Sequence, residues 1–231
     1  MADASAPRQN VSFPSGETTA HGYLARPPSG TGPGLVVIQE WWGLTDHIAD
    51  LVERFAAEGF VALAPDLYGG TTTHDPEEAA RLMRELPVER ATRDLAGAVD
   101  HLLADEAVTS TTVGAVGFCM GGGFVLTLAA QQGERIGAAV PFYGMIGEEV
   151  DLSGLRAHVQ GHFAEHDRMI PLEAVDRLAE RLRREAGIEP AVHVYPAHHA
   201  FLNDANPASY DVESARLAWQ RAVAFLREHV R

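Results

Sequence analysis

The sequence predicts an α/β domain with a mostly parallel central sheet, helices on both faces and an antiparallel N-terminal edge. Three observations predict it. Short runs rich in Val and Leu recur and read as strands buried on both faces. The segments between them carry the apolar spacing of helices. The two kinds of segment alternate along the chain, which calls for crossover connections between parallel strands. With 231 residues, 46% of them hydrophobic, the chain can bury one large core. Residues 1–231 are therefore read as a single domain, with residues 1–9 as a flexible tail.

The elements follow in order. "NVSFPSG" (10–16) and "AHGYLARP" (20–27) read as an antiparallel hairpin whose turn is supplied by Pro14, Ser15 and Gly16. "GLVVIQ" (34–39) is the first buried strand. A helix over 45–59 opens on a Thr45–Asp46 capping pair and stops at Gly59. Strand 60–66 precedes "GGTTTHDPEEA" (69–79), the longest irregular stretch, and such a loop in a compact domain is often functional. Strands over 112–118, 136–144 and 156–164 come next. A helix over 171–187 lies between Pro171 and Gly187. Strand 191–197 and an amphipathic helix over 209–230 end the domain.

Charge and cysteine usage narrow the function. The 18 Lys and Arg stand against 32 Asp and Glu, a formal net charge of -14, which repels nucleic acid and anionic membrane surfaces. No run approaches the ~20 apolar residues of a membrane span, and "MADASAPRQN" lacks the features of a leader. A cytoplasmic protein with no nucleic-acid or membrane partner is expected. Its one cysteine, Cys119, cannot form an internal disulfide, so packing holds the fold.

Cys119 sits in "VGAVGFCMGGGFVL" (113–126). The spacing G-F-C-M-G over 117–121 matches a strand-to-helix turn that presents a nucleophile, G-x-(nucleophile)-x-G. Side chains at either glycine would collide with the neighbouring strand or helix. The turn aims the N–H of Met120 outward at a helix start, where the dipole favours negative charge and lowers a thiol pKa. A buried cysteine at an ordinary glycine-rich turn has the same local sequence, so the rest of the chain must decide.

A nucleophile on this architecture is followed along the chain by an acid and then a histidine. His199 in "YPAHHAFLND" follows the last strand, with His198 adjacent and not separable by spacing. Asp167 in "VQGHFAEHDRMIP" follows another strand, with Glu165 and Asp151 as rivals and helix capping as its structural alternative. Glu40 in "VVIQEWWGL" ends a third strand beside two tryptophans, and the N–H of Trp41 is a candidate second oxyanion donor. A carboxylate there can accept the thiol proton or repel a thiolate.

Together "QEWWGL", "APDLYGG", "GFCMGG", "EHDRMIP" and "HHAFLND" resemble the dienelactone hydrolase family, cysteine-nucleophile members of the α/β-hydrolase superfamily, over residues 20–229. The resemblance implies a triad of Cys119, Asp167 and His199, an accessory Glu40, and oxyanion N–H groups on Trp41 and Met120. It also implies a pocket near Trp42, Tyr143 and Phe201, a small ester or lactone as substrate, and no cofactor or metal. Namesake members use arginines after D-L-Y and past the histidine, where this chain reads "DLYGGTTTH" and "HAFLND"; Arg81 or Arg168 are the available substitutes. Three other classes compete. A thiol of lowered pKa suits a redox sensor, although no resolving cysteine exists. The fold also serves non-catalytic binding. A metal hydrolase would need His158, His162, His166 and Asp167 to converge, which a strand over 156–164 opposes.

Overall fold

The computed structural model describes residues 8–231. β1 (Val11–Ser15) and β2 (Thr18–Ala25) form the expected hairpin. β3 (Gly32–Ile38), β4 (Val61–Pro65), β5 (Val108–Phe118), β6 (Ile136–Phe142), β7 (His158–Ala164) and β8 (Ala191–Tyr195) follow. One eight-stranded sheet runs in the order β1-β2-β4-β3-β5-β6-β7-β8. The β1–β2 and β2–β4 pairs are antiparallel and the others parallel.

Helices cover both faces, as the buried apolar runs of the strands require. On one side α1 (Asp46–Ala57) and α6 (Val212–His229) pack Ile48, Phe55, Ala218 and Leu226 against Leu35, Val37 and Val116. On the other side α3 (Val88–Ala104), α4 (Met120–Gln132) and α5 (Leu172–Arg181) pack Leu95, Val99, Val125 and Leu178 against Val36, Ile38 and Ala115. Alternate residues of β3 thus serve opposite cores, the two-residue period of a strand buried on both faces.

Several local readings are corrected. Pro14 and Ser15 lie in β1 paired to Thr19 and Thr18, so the turn falls at Gly16–Glu17. An edge strand tolerates Pro14 because the missing N–H need not enter a ladder on that side. Thr45 occupies the N-cap of α1 without a side-chain bond. The end of the "irregular" stretch, residues 76–79, is helical: Asp75 accepts from the N–H groups of Glu77 and Glu78, and Pro76 opens α2 (Pro76–Glu85). After α5 the chain widens into a π turn over Leu182–Ala186 before Gly187 stops it at φ 70°. Residues 1–7 of the expected tail lie outside the described residues. Arg8 and Gln9 are anchored instead, their side chains donating to Asp46 and Asp66, each at 2.7 Å.

The parallel strands bring their carboxyl ends to one edge of the sheet. Residues just beyond β3, β5, β6, β7 and β8 include Glu40, Cys119, Tyr143, Asp167 and His199. Ligand sites of open α/β sheets lie at this edge.

Candidate active site

The turn at Cys119 comes first, because its backbone decides what the side chain can do. Cys119 has φ 55° and ψ -117° between β5 and α4, and its N–H donates to the Phe142 carbonyl at 3.0 Å. The flanking glycines are required by contact. A Cβ at Gly117 would fall 2.3 Å from the Gly121 carbonyl oxygen, and one at Gly121 would fall 2.4 Å from that of Ile38. Among the described residues, the non-glycine positions with positive φ are Cys119, Tyr143 (37°) and Ala200 (60°). All three sit at this edge of the sheet. Each such residue costs roughly 1–3 kcal/mol, and strain of this kind gathers at functional sites.

His199 and Asp167 meet across two loops. The ring Nδ1 of His199 lies 2.6 Å from Oδ2 of Asp167. The other carboxylate oxygen, Oδ1, accepts from the N–H groups of Met169 and Ile170 at 2.8 and 3.1 Å. Asp167 thus orders the turn before α5 without capping that helix, whose N-cap is Pro171, and its other oxygen meets His199. Burial pushes its pKa up, but the His199 hydrogen bond and charge and the two backbone donors outweigh that and bring it below the usual value. His198 turns away to the His166 carbonyl, 3.2 Å from Nδ1. Glu165 is exposed, and Asp151 is exposed with its carboxylate accepting from Ser153 N–H. Neither rival reaches the histidine ring as Asp167 does.

The second nitrogen of His199, Nε2, is buried and forms no hydrogen bond of normal geometry. Cys119 is close enough to influence the protonation of the ring. Burial lowers the His199 pKa, while the Asp167 hydrogen bond and the contact with Cys119 raise it further, to about 9. Thiol, imidazole and carboxylate thus stand together at one edge of the sheet.

Glu40, just beyond β3, lies near the same ring. It is 2% exposed. Its Oε2 accepts from the side-chain amide of Asn203 at 2.7 Å, and Oε1 has no partner among the described residues. Burial is the dominant influence and lifts its pKa to about 7, against the smaller opposing pulls of Asn203 and His199. Outside helices and strands, the N–H groups of Trp41 and Met120 donate to no backbone carbonyl among the described residues.

Placement differs for the aromatic residues. Trp42 lines a cavity of ~500 Å³ together with Arg8, Asp46, His47, His74 and Asn203. Tyr143 and Phe201 do not line it. They are wholly buried and pack behind His199, with Tyr143 5.2 Å from the His199 ring and 5.4 Å from Phe201. Arg81 pairs with Glu78 and Glu85 on α2, and Arg168 lines none of the described cavities. His162 is buried between the Tyr195 hydroxyl and the Gln160 side chain, at 2.8 and 3.0 Å. Among the described residues no group of three or more His, Cys, Asp and Glu is placed to hold a metal ion, and no helix is long and apolar enough to cross a membrane.

Two participants were missed in the sequence. Asn203 lies in the quoted "HHAFLND", where no local pattern marks its contact with Glu40. Tyr68, in "APDLYGG", has its hydroxyl 3.5 Å from the Met120 sulfur. Burial and the proximity of Cys119 push its pKa up to about 12, which keeps it a neutral phenol beside the thiol.

Sheet order, strained turn and strand-end residues together define an α/β-hydrolase fold. The chain belongs to the dienelactone hydrolase family, whose model matches residues 20–230. It is 34% identical to Protein usf of Aquifex pyrophilus over 96% of this chain and 99% of that one. It is 30% identical to a protein of Aquifex aeolicus named as a carboxymethylenebutenolidase, with 96% and 99% coverage. The crystal structure of a protein named as a dienelactone hydrolase from Klebsiella pneumoniae superposes with a TM-score of 0.85 at 32% identity, covering 95% of this chain and 97% of that one.

Proposed function

We propose that this protein hydrolyses small carboxylic esters or lactones through a thioester on Cys119. One observation carries the reading: Cys119 in a strained turn whose neighbouring histidine is already held by a carboxylate 2.6 Å away. His199 takes the thiol proton while the sulfur attacks the substrate carbonyl carbon. The carbonyl oxygen becomes an oxyanion, to which the N–H groups of Trp41 and Met120 donate. Collapse breaks the ester C–O bond, and the imidazolium of His199 returns its proton to the departing oxygen. Water then attacks the thioester with His199 as base, releasing the acid and restoring the thiol.

The thiol sets the chemistry. A thiolate is expelled more easily than an amine or a simple alkoxide, so intermediates with poor leaving groups revert. Enol lactones and activated esters are the substrates and amides are not. The family membership supports the same bond type, since relatives carry the name carboxymethylenebutenolidase. A single free cysteine with no structural disulfide agrees with a cytoplasmic setting. The test is hydrolysis of 4-nitrophenyl acetate by the wild type and by Cys119→Ala; equal rates overturn the reading.

A further inference from the structure

The cavity of ~500 Å³ touches the site through Asn203 and Trp42, and its charge balance bears on what it accepts. Arg8 is the arginine in its lining, and its Nε lies 2.7 Å from Oδ1 of Asp46, which lines the same cavity. The pair leaves no net charge. His47, also in the lining, is kept below its ordinary pKa by burial, against the pull of Asp204 3.1 Å away. Arg54, outside the lining, is shared between Asp204 at 3.4 Å and Asp50 at 3.8 Å. Arg81 is paired on α2 and Arg168 does not reach the cavity.

Asn203 forms the boundary between cavity and site. Its amide nitrogen donates to Glu40, and its carbonyl oxygen accepts from the Ala205 N–H at 3.1 Å. Both ends being used, the amide is fixed in one orientation. It presents no charge to the cavity while a buried carboxyl group, Glu40, stands directly behind it. A carboxylate entering here would find no unpaired arginine in the lining and would approach Asp46, with Asp204 bonded to His47 and Glu40 behind Asn203 nearby. A neutral alkyl or alkenyl group would meet Trp42, Leu44 and the Thr45 and Thr72 side chains instead.

We infer that this cavity selects an uncharged substituent on the ester or lactone, with Asn203 and the Arg8–Asp46 pair as its specificity elements. The inference rests on the hydrolase reading above. It departs from a substrate that carries its own carboxylate.

Two activated esters of equal chain length, 4-nitrophenyl hexanoate and mono-4-nitrophenyl adipate, differ by one terminal carboxylate. Rates are corrected for spontaneous hydrolysis and compared at low ionic strength for wild type and for Asp46→Asn, which leaves Arg8 unpaired. Wild type should favour the hexanoate by roughly 10-fold or more in kcat/KM, mostly through KM, and Asp46→Asn should narrow that ratio several-fold. Equal or faster turnover of the adipate by wild type overturns the inference and leaves the hydrolase reading intact. A ratio unmoved by Asp46→Asn also overturns it. If neither ester is hydrolysed faster than by Cys119→Ala, the hydrolase reading fails and the inference falls with it.

Discussion

Asp167 and Glu40 are two buried carboxylic acids near one imidazole, and their surroundings drive their pKa values apart. Asp167 has a histidine and two backbone N–H donors, and its pKa falls below the ordinary value. Glu40 has one neutral amide donor and one unpartnered oxygen, and burial lifts it to about 7. The difference follows from how many donors meet the charged form, since burial opposes ionisation at both positions. One acid is a fixed charge that orients His199. The other gains or loses a proton within the working pH range, so the site holds one permanent and one adjustable negative charge.

Removing the machinery that Asp167 serves gives the largest effects. Cys119→Ala and His199→Ala should each lower kcat for an activated ester by at least roughly 10³-fold, and the double variant should lose little more, because the residues act as a unit. Steady-state rates check this. Asp167→Asn keeps the shape but removes the charge, and should lower kcat by roughly 10²–10⁴-fold. It should also move the rising limb of the rate profile, which loss of the His199 proton places near pH 9, to lower pH.

Glu40→Gln tests the other acid through stability. A carboxyl group whose pKa is raised on folding binds more protons folded than unfolded, so stability falls as pH rises from the unfolded value of about 4.5 to about 7. The glutamine variant lacks that loss. Its melting temperature should exceed that of wild type at pH 8 and match it far more closely at pH 5. The smallest effect belongs to Asn203→Ala. It removes a donor that favours ionised Glu40, and should shift an inflection near pH 7 in the activity profile upward, with a rate change of only a few fold.

Legibility in the sequence tracked distance along the chain. The elbow was readable because Gly117 and Gly121 lie within two residues of Cys119, and the steric demand is local. Asp167 and His199 were readable from their positions after strands, since a parallel sheet sends those ends to one edge. The choice between His198 and His199 needed coordinates, because it depends on which ring turns toward Asp167. Asn203 acquires meaning only from Glu40, 163 residues away, and no local pattern encodes that contact. Tyr143 and Phe201 were misplaced as pocket residues for the same reason: sequence puts an aromatic near the site but not on its open or its packed side. The cap at Asp75 was a local signal, and the polar Thr, Gly and His residues before it masked the start of α2.

Mapping the covalent intermediate tests the central claim most directly. Wild-type protein is mixed with 4-nitrophenyl acetate, quenched in acid within the first turnover, and examined by intact mass and peptide mapping. The account predicts one added acetyl group, located on Cys119 and absent from Cys119→Ala. An acetyl group on another residue, or hydrolysis at the wild-type rate in Cys119→Ala, would contradict it.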